Sequence, residues 1–367
     1  MIAALSMGVE EEYLVVDAVT RRPVAAASSI LAGLSEEDFH PEFSATQAEF
    51  STRVCLDLGS LRRELDRGRT SLALAARHHG ALLVASGTPP LGRPGPPPVA
   101  SNARYRHMAA VYGALVEDQG VCGCHVHVGV PDPDHAIRAS NHIRPWLPAL
   151  LVLSANSPFS DGRDTRHASW RTSIWSRWPV CGVPPRFHSA AHYEDLVGRL
   201  VDAGVIIDPE MVYYYVRPSR HAPTVEVRIA DVAPTVDEAL LQAALTRALV
   251  STALISSAEE PAPDAVLRAA CSRAALAGLK GRCLDPASGR PCTGWDLVDR
   301  LVAHVRLALR DAGDLGFVER RLSWLRRCGG GATRQRRVLG ERGDLGAVVD
   351  HLAVVPSERQ WPTAPHT

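Results

Sequence analysis

The stretch CGCHVHVGV, residues 122–130, places His125 and His127 one residue apart in an otherwise apolar run. Alternate side chains of a β-strand point to the same face, so the two histidines share one face and the valines occupy the other. The pattern therefore predicts a strand with one polar and one apolar face. Histidine pairs of this kind occur in hydrolytic zinc sites, in phosphate-handling sites and in ordinary packing. The stretch alone leaves these three interpretations open.

Three further segments have the two-residue period of a strand and carry charged or polar side chains on one face. The side chains concerned are Glu10 and Glu12 in GVEEEY, Gln47 and Glu49 in TQAEF, with Glu42 earlier in the same segment, and Glu226 and Arg228 in TVEVRIAD. Central strands rarely carry charges unless those charges are paired or bind a metal. If these strands share a sheet with the histidine strand, one face presents the carboxylates and His125 together.

A group of neighbouring carboxylates favours a divalent cation. Carboxylates repel one another and raise each other's pKa values, and a bound cation relieves that repulsion. Oxygen-rich ligand sets suit Mg²⁺ or Mn²⁺, whereas zinc sites usually contain more histidine and cysteine. Arg228 beside Glu226 supplies a fixed positive group for a transferring phosphoryl group. The residue types therefore favour magnesium with a phosphate-containing substrate over hydrolytic zinc.

Composition and charge exclude several other classes. Acidic and basic residues number 40 each, so net charge indicates neither a nucleic-acid partner nor a membrane partner. Lys280 lies in GLKGR and not in a P-loop motif. The eight cysteines have no zinc-ribbon spacing and are interpreted as reduced side chains. With no signal-peptide pattern and no apolar run of about 20 residues, we expect a soluble cytoplasmic protein.

The order of periodic segments predicts an α+β fold with a helical C-terminal third. Strands are predicted at 8–17, 43–57, 81–90, 122–130, 212–219 and 223–231. Helices are predicted at 61–80, 103–117, 134–157, 235–258, 262–278, 294–312, 317–327 and 343–354. We expect residues 1–260 to form a catalytic region and residues 261–367 a helical region packed on the same domain. Residues 158–187 read as an irregular loop, and their tryptophans favour an ordered one.

The ordered set of motifs resembles the carboxylate–amine ligase branch of the glutamate–cysteine ligase family. The motifs are GVEEEYLVVD, TQAEFSTRVC, GTPP, CGCHVHVGV, LSANSPFSDGRDTRHASWRTSIWSRWP, RPS and TVEVRIADVAPT. The resemblance runs from about residue 6 to 240 and continues weakly beyond. It implies the glutamine synthetase-like fold, an antiparallel sheet with helices packed on one face. The other face of such a sheet holds ATP, Mg²⁺ ions and a carboxylate substrate.

The resemblance also implies roles for individual residues. The implied metal ligands are Glu10, Glu12, Glu49, His125 and Glu226. His127 is implied to contact an ATP phosphate, and Arg228 a phosphate or the charge of the transition state. Glu226 and Arg228 are thus the predicted catalytic pair. Glu42 corresponds less closely to a family carboxylate, and we assign it to the substrate side together with Arg171 and Arg217. Surface ion pairing is the alternative for the two arginines.

The implied reaction joins a small carboxylic acid to an amine. The acid attacks the γ-phosphoryl group of ATP, and the resulting acyl-phosphate is attacked by the amine to give an amide, ADP and phosphate. Residues 158–187 are candidates for a cover that excludes water. The family's tendency to self-associate implies a homo-oligomer. The stretch Arg334-Gln335-Arg336 could reach the nucleotide, but a solvated helix face is the safer interpretation.

Two departures from the family pattern indicate a change of substrate. Pro89 replaces the usual histidine of the GTHP turn, and Tyr214-Tyr215 replace a usual Trp-Asp pair. We therefore expect ATP-dependent activation of a carboxylate with substrates shifted from glutamate or cysteine. The alternatives are a metal-dependent amidohydrolase, a guanidino-type phosphotransferase and a non-catalytic binding protein that kept the fold.

Overall fold

The computed structural model describes residues 5–92, 95–96, 98–117, 119–256 and 262–356. The strands of these residues are β1 Met7–Asp17, β2 Phe39–Pro41, β3 Gln47–Ser51, β4 Ala81–Val84, β5 Gly123–Gly129, β6 Phe159–Ser160, β7 Arg163–Asp164, β8 Cys181–Gly182, β9 Tyr213–Tyr214, β10 Val216–Pro218, β11 Thr224–Asp231, β12 Arg282–Leu284 and β13 Pro291–Thr293. The α-helices are α1 Ala27–Leu31, α2 Leu58–His78, α3 Ala103–Tyr112, α4 Pro133–Ile143, α5 Leu147–Ser154, α6 Trp170–Trp175, α7 Ala190–Asp202, α8 Val236–Ile255, α9 Asp264–Ala277, α10 Gly294–Asp311, α11 Leu315–Cys328, α12 Gly331–Arg342 and α13 Leu345–Leu352.

An antiparallel sheet of seven strands organises the molecule. Its order is β10-β11-β5-β1-β3-β2, and β4 pairs with the second half of β1. β1 is central because it pairs with β3 along one edge and with β5 and then β4 along the other. The predicted α+β class and antiparallel sheet are thus confirmed, and the polar segments of the sequence lie on neighbouring strands.

Helices cover the apolar face of the sheet. Val126 and Val128 of β5 belong to a buried cluster that also contains Leu150 of α5 and Leu245 of α8. This cluster extends to Leu325 of α11, so C-terminal helices share the core with the sheet. Burial of these side chains against one another is the main stabilising contribution to the packing. The boundary that we predicted at residue 260 lies outside the described residues.

One helix is unusually apolar. Within the described ranges, α8 alone has the length and hydropathy of a membrane span, and 83% of its most apolar window is buried inside the protein. Contacts with α2, α4 and α10 surround it. The core of the fold therefore accounts for its apolar character.

Several predicted elements differ in extent. The helix predicted at 134–157 is wrong as one element: α4 ends at Ile143, a 3₁₀ turn spans Arg144–Trp146, and α5 follows. Pro145 and Pro148 lack the N–H groups that would continue the helix. Within the strand predicted at 43–57, only Gln47–Ser51 forms a continuous strand, and Ser44 and Cys55 make isolated bridges to Val99 and Met7. Residues 158–187 form an ordered segment that contains α6 and short strands.

The helix α12 was not predicted. Its side chains Arg334 and Gln335 are buried, so the interpretation of this stretch as a solvated helix face is wrong. Arg334 donates two hydrogen bonds to the Glu238 carboxylate, at 2.8 and 2.9 Å. Gln335 Nε2 donates to the main-chain oxygen and to Oδ1 of Asn156, at 2.9 and 2.8 Å. Arg336 pairs with Asp164. These contacts use the polar groups that we had considered for the nucleotide.

Candidate active site

Strand register brings the predicted charged residues to one face. Glu10 lies opposite His125 in the β1–β5 pair, and Glu12 lies opposite Glu49 in the β1–β3 pair. Glu226 lies between two partners, because it faces His127 on β5 and Arg217 on β10. Side chains directly opposite one another on antiparallel strands have Cβ atoms about 5 Å apart. The face thus carries one continuous charged cluster across five strands.

Glu10, His127 and Glu226 form the tightest group. Their ligand atoms all lie within 4.8 Å of one another. His127 Nε2 lies 3.2 Å from Glu10 Oε1 and 3.8 Å from Glu226 Oε1, while its Nδ1 lies 3.0 Å from Thr224 Oγ1. Burial lowers the pKa of His127, but the neighbouring Glu226 and Glu10 outweigh this effect and raise it. The group has the oxygen and nitrogen atoms that a divalent cation binds.

Glu12 and His125 lie beside this group. Glu12 Oε2 accepts a hydrogen bond of 2.6 Å from Gly123 N, and Glu12 Oε1 lies 3.6 Å from His125 Nε2. Burial and the neighbouring Glu42 raise the pKa of Glu12 to about 7. Burial, followed by the charge of Arg228, lowers the pKa of His125 to about 3. His125 is therefore a neutral imidazole at neutral pH, which is the form that binds a metal ion.

Glu49 and Glu42 form a second carboxylate pair. Burial and the charges of Glu10 and Glu42 raise the pKa of Glu49 well above its ordinary value, and a hydrogen bond with Glu42 adds to this effect. Glu42 also accepts a hydrogen bond of 3.0 Å from Phe43 N. A buried carboxyl that resists ionisation, as Glu49 does, marks a place where positive charge would be strongly stabilised.

Two arginines flank Glu226. Arg217 Nε donates a 2.8 Å hydrogen bond to Glu226 Oε2, and Arg228 donates to Glu226 Oε1. Burial raises the pKa of Glu226, but the two guanidinium groups outweigh it and hold the pKa well below its ordinary range. Glu226 is consequently ionised and fixed in position. Arg217 also donates to the main-chain oxygens of Glu210 and Val212, so much of its donor capacity is used within the protein.

Arg171 is the most deeply buried of the three arginines, with 2% of its surface exposed. Its guanidinium donates to the main-chain oxygens of Arg228, at 3.3 Å, and of Ile229, at 3.4 Å. A Cβ atom at Gly123 would come within 2.3 Å of Arg171 Nη2, so glycine leaves the space that this guanidinium fills. Its charge lowers the pKa of Glu12. The Arg171 guanidinium thus packs against Gly123 and acts on the Glu12 carboxylate.

Unpartnered polar atoms support a bound polar group at this face. Among the described residues, Nε2 of His125 and of His127 and Nε of Arg171 and of Arg228 are buried without a hydrogen-bond partner. Buried polar groups usually have partners, and exceptions require an explanation. Carboxylate oxygens and neutral imidazoles are suitable ligands for Mg²⁺ or Mn²⁺, and unpartnered arginine donors are suitable for phosphate. The residues therefore fit a divalent cation with a phosphate-bearing substrate.

Two cavities open along the charged face. The first, of about 320 Å³, is lined by Glu10, His127, Arg217, Glu226 and Arg228 together with the β10–β11 turn. The second, of about 390 Å³, lies toward the other half of β1, where Leu14 and Pro89 face Trp170 and Arg177. Trp170 and Arg177, which belong to the 158–187 segment, thus line the second cavity. Tyr215, by contrast, is buried in the core.

The structure brings together all ten residues that the sequence singled out: Glu10, Glu12, Glu42, Glu49, His125, His127, Arg171, Arg217, Glu226 and Arg228. It groups His127 with Glu10 and Glu226, although we had assigned His127 to phosphate and His125 to the metal. The shared face of the two histidines was the signal that either could serve. Sequence reasoning missed Asp231, a buried carboxylate at the end of β11, because its position in the strand does not distinguish it from an ordinary strand terminus.

Comparison with known proteins identifies the family of this chain. The sequence profile of glutamate–cysteine ligase family 2 matches residues 6–351. A protein of Saccharopolyspora erythraea, provisionally named glutamate–cysteine ligase 2-1, is 49% identical over 96% of this chain and 96% of its own length. A relative from Salinispora arenicola, provisionally named glutamate–cysteine ligase 2, is 45% identical over 96% of this chain and 95% of its own.

A solved structure has the same fold. The glutamate–cysteine ligase of Francisella tularensis, determined in complex with AMP, has a TM-score of 0.73 at 14% identity and covers 95% of this chain and 88% of that one. Taken with the family match, this likeness shows that the protein is an ATP-dependent carbon–nitrogen ligase. The chain belongs to glutamate–cysteine ligase family 2. The predicted family and enzyme class are confirmed.

Proposed function

We propose that this enzyme activates a small carboxylic acid with ATP as an acyl-phosphate and transfers the acyl group to an amine. The product is an amide, which is a γ-glutamyl amide if the acid is glutamate. The observation that carries the proposal is the single face on which carboxylates and imidazoles surround Glu226 while Arg217 and Arg228 fix it. Phosphoryl transfer requires positioning and charge stabilisation, and this face supplies both kinds of group.

The metal ligands that we propose are Glu10, Glu12, Glu49, His125 and Glu226, and the structure adds His127 as a sixth candidate. Bound Mg²⁺ or Mn²⁺ would supply charge neutralisation for the triphosphate. The raised pKa values of Glu12 and Glu49 support this proposal, because a cation would replace protons as their counter-charge.

The protein's own groups have distinct tasks in the proposed reaction. Arg228 donates a hydrogen bond to Glu226, and its Nε has no hydrogen-bond partner. Arg228 can therefore donate to the transferring phosphoryl group. If His127 does not bind the cation, its Nε2 can instead donate to a phosphate oxygen. Arg217, with Arg220 and His221 nearby, lines the first cavity and can hold the carboxylate of an acid substrate. Trp170 and Ile174, which line the second cavity, can exclude water from the acyl-phosphate.

We propose that the substrates have shifted from the glutamate and cysteine of the relatives' names. Pro89, which replaces a family histidine, lines the second cavity, so it can change the groups that a substrate meets there. Tyr215 does not reach either cavity's lining and acts through packing. The eight unpaired cysteines support a cytoplasmic setting for the reaction.

The test is ADP release with Mg²⁺ and ATP across a panel of carboxylic acids, each with and without a pool of amines. We expect ADP release that requires one acid and one amine, and an amide product of matching mass. Efficient joining of glutamate to cysteine at ordinary concentrations would disprove the substrate shift but not the ligase. A phosphorylated product formed without any amine would indicate a phosphotransferase, and hydrolysis of amides without ATP would indicate an amidohydrolase.

A further inference from the structure

A buried carboxylate outside the charged cluster ties two segments of the chain together. Asp231 is fully buried at the end of β11. Its Oδ2 accepts hydrogen bonds from Asn156 N at 2.8 Å and from Ser157 Oγ at 2.7 Å, and its Oδ1 accepts one from Ser169 Oγ at 2.8 Å. The Asp231 carboxylate thus binds both ends of the chain segment between Ser157 and Ser169.

This attachment determines where α6 begins. Ser169 is the N-cap of α6, and Ser157 Oγ, while bound to Asp231, accepts a 3.1 Å hydrogen bond from Arg171 N. Arg171 is the second residue of that helix. The main chain of Arg171 is therefore fixed by a side chain that Asp231 itself orients.

The side chain of Arg171 returns to the same strand. The β11–β5 register shifts between Val227 and Ala230, which marks a β-bulge. A bulge disrupts the regular ladder and leaves groups unpaired. The main-chain oxygens of Arg228 and Ile229, within this bulge, accept the hydrogen bonds of the Arg171 guanidinium. From there the guanidinium lies against Gly123 and acts on Glu12.

We propose that Asp231 is a positioning residue: through Ser157 and Ser169 it holds α6 so that the Arg171 guanidinium stays on the β11 bulge beside Glu12 and His125. This inference rests on the proposed function, because it assigns Arg171 to the charge balance of the site. Asp231 lines neither cavity, and its carboxylate accepts hydrogen bonds from Asn156, Ser157 and Ser169, which lie outside the group of predicted site residues. Its effect on the reaction therefore passes through Arg171.

The hydrogen bonds around Asp231 extend to α12 in the C-terminal region. Asn156, whose N–H binds Asp231, receives both hydrogen bonds of Gln335 from α12. Its own Nδ2 donates to the main-chain oxygens of Ala85 and Val232, at 2.9 and 3.0 Å. A continuous chain of hydrogen bonds thus connects α12 to Arg171. Its members are Gln335, Asn156, Asp231, Ser157 and Arg171.

The experiment compares Asp231→Ala, Asp231→Asn, Arg171→Met and the double variant Asp231→Ala/Arg171→Met. Asp285→Ala is the matched control, because Asp285 is also a buried carboxylate but caps the turn between β12 and β13. Ser157→Ala is a milder second variant in case Asp231→Ala does not fold. Each protein is assayed for ADP release, for Mn²⁺ binding by electron paramagnetic resonance at pH 8.5, and for its melting temperature.

We expect Asp231→Ala to lower kcat about 10- to 100-fold with a smaller change in KM for ATP, since groups that orient an active-site residue have effects of this size. Displacing the guanidinium removes a repulsive charge, so Mn²⁺ binding should tighten at least about threefold in both Asp231→Ala and Arg171→Met. The double variant should match Arg171→Met, because the two changes act on one group. Asp231→Asn keeps an acceptor for Asn156 and Ser157 and should restore most of the activity.

A purely structural role would give a different result. Asp231→Ala would then resemble Asp285→Ala, with a lower melting temperature but unchanged kcat and Mn²⁺ affinity in the folded protein. Additive effects of the two single changes, or unaltered Mn²⁺ binding in Arg171→Met, would also overturn the proposal. If wild-type protein binds Mn²⁺ but releases no ADP with any substrate pair, the proposed function fails while the Mn²⁺ comparison still tests the role of Asp231.

Discussion

Glu10 occupies the most connected position of the charged face. It lies within 3.3 Å of ring nitrogens of both His125 and His127. Burial raises its pKa, but these two histidine contacts lower it well below its ordinary value. Glu10 therefore ionises at a lower pH than its neighbours Glu12 and Glu49, and together with Glu226 it offers a cation a carboxylate that is already in its binding form.

Glu10→Gln should therefore abolish metal-dependent activity while leaving the fold intact. We expect ADP release to fall by about 100-fold or more, because even groups that only support a metal ligand cost 10- to 100-fold when lost. The control is Glu36→Gln, since Glu36 is exposed and lies in the turn after α1. Activity within about threefold of wild type in purified Glu10→Gln would contradict the proposed ligand set.

Glu12 predicts how stability depends on pH. Its pKa rises from 4.5 to about 7 in the folded protein, so the folded state retains a proton that the unfolded chain has lost. The stability that this proton gives is fully present below pH 4.5 and is lost as pH rises to about 7. Denaturant unfolding in EDTA should show a decline over this window, and the decline should be smaller in Glu12→Gln.

Saturating Mn²⁺ should reverse that decline, because it binds the ionised carboxylates of the folded state. At 100 times the dissociation constant, a ligand of the folded state adds about 2.7 kcal/mol to the free energy of unfolding. We expect this gain at pH 7.5 in wild-type protein and its loss in Glu10→Gln. Equal gains in the two proteins would show that Mn²⁺ binds elsewhere.

At the level of single residues, sequence alternation was sufficient to predict the charged face. The period of two in GVEEEY, CHVH and TVEVR determines which side chains lie together once the strands pair. It gave no information on the reverse face, where Glu11 is fully buried and pairs with Arg69 at 2.5 and 2.9 Å. That pair joins β1 to α2, and a contact 58 residues apart leaves no local pattern.

Among the elements, β5 controls how closely α6 approaches the sheet. Gly123→Ala would place a methyl group 2.3 Å from Arg171 Nη2 and 2.8 Å from His125 Nε2. Overpacking of this kind typically costs 1–3 kcal/mol. We expect that loss of stability in urea unfolding, together with reduced ADP release because Arg171 must move.

The control for this change is Gly198→Ala on the exposed side of α7. Nothing lies within 4 Å of its added Cβ atom, and alanine is the better helix former by up to about 1 kcal/mol. It should stabilise the protein slightly and leave activity unchanged. Equal stability of Gly123→Ala and wild type would show that the α6 segment adjusts freely.

Element types were predictable where the helical periodicity was long, as in α2 and α10. The bulge of β11 was not, since TVEVRIAD alternates regularly through the residues that are displaced. Within the bulge, the main-chain oxygen of Arg228 accepts a hydrogen bond from Arg171, a residue 57 positions earlier, and so distant a contact leaves no local pattern. Similarly, proline divided α4 from α5, and we had weighted their apolar run more heavily than the two prolines.

For the whole molecule, α12 links the helical region to the sheet. Arg334 and Glu238 are both buried, and removing one member of a buried ion pair leaves an uncompensated charge. Arg334→Met should lower the free energy of unfolding by about 3 kcal/mol, at the low end of the usual range because Arg321 also contacts Glu238. Denaturant unfolding measures the loss.

The double variant Arg334→Met/Glu238→Gln should recover much of that stability, because it removes both charges. A double variant that is less stable than Arg334→Met would show that Glu238 acts mainly through its contacts with Thr235 and Arg321. The arginine and glutamine of GATRQRR could not be assigned from sequence, because their partners lie on α8 and beside α5. Only the assembled fold distinguishes a buried face of this composition from a solvated one.

The attachment of α12 to Asn156 has a consequence for the timing of synthesis. A nascent polypeptide folds from its N-terminal side as it leaves the ribosome. The strands that carry the carboxylates and histidines are all made by residue 231, but Gln335 follows more than a hundred residues later. Until α12 has left the ribosome, the nascent chain therefore lacks the hydrogen bonds that Gln335 donates to Asn156.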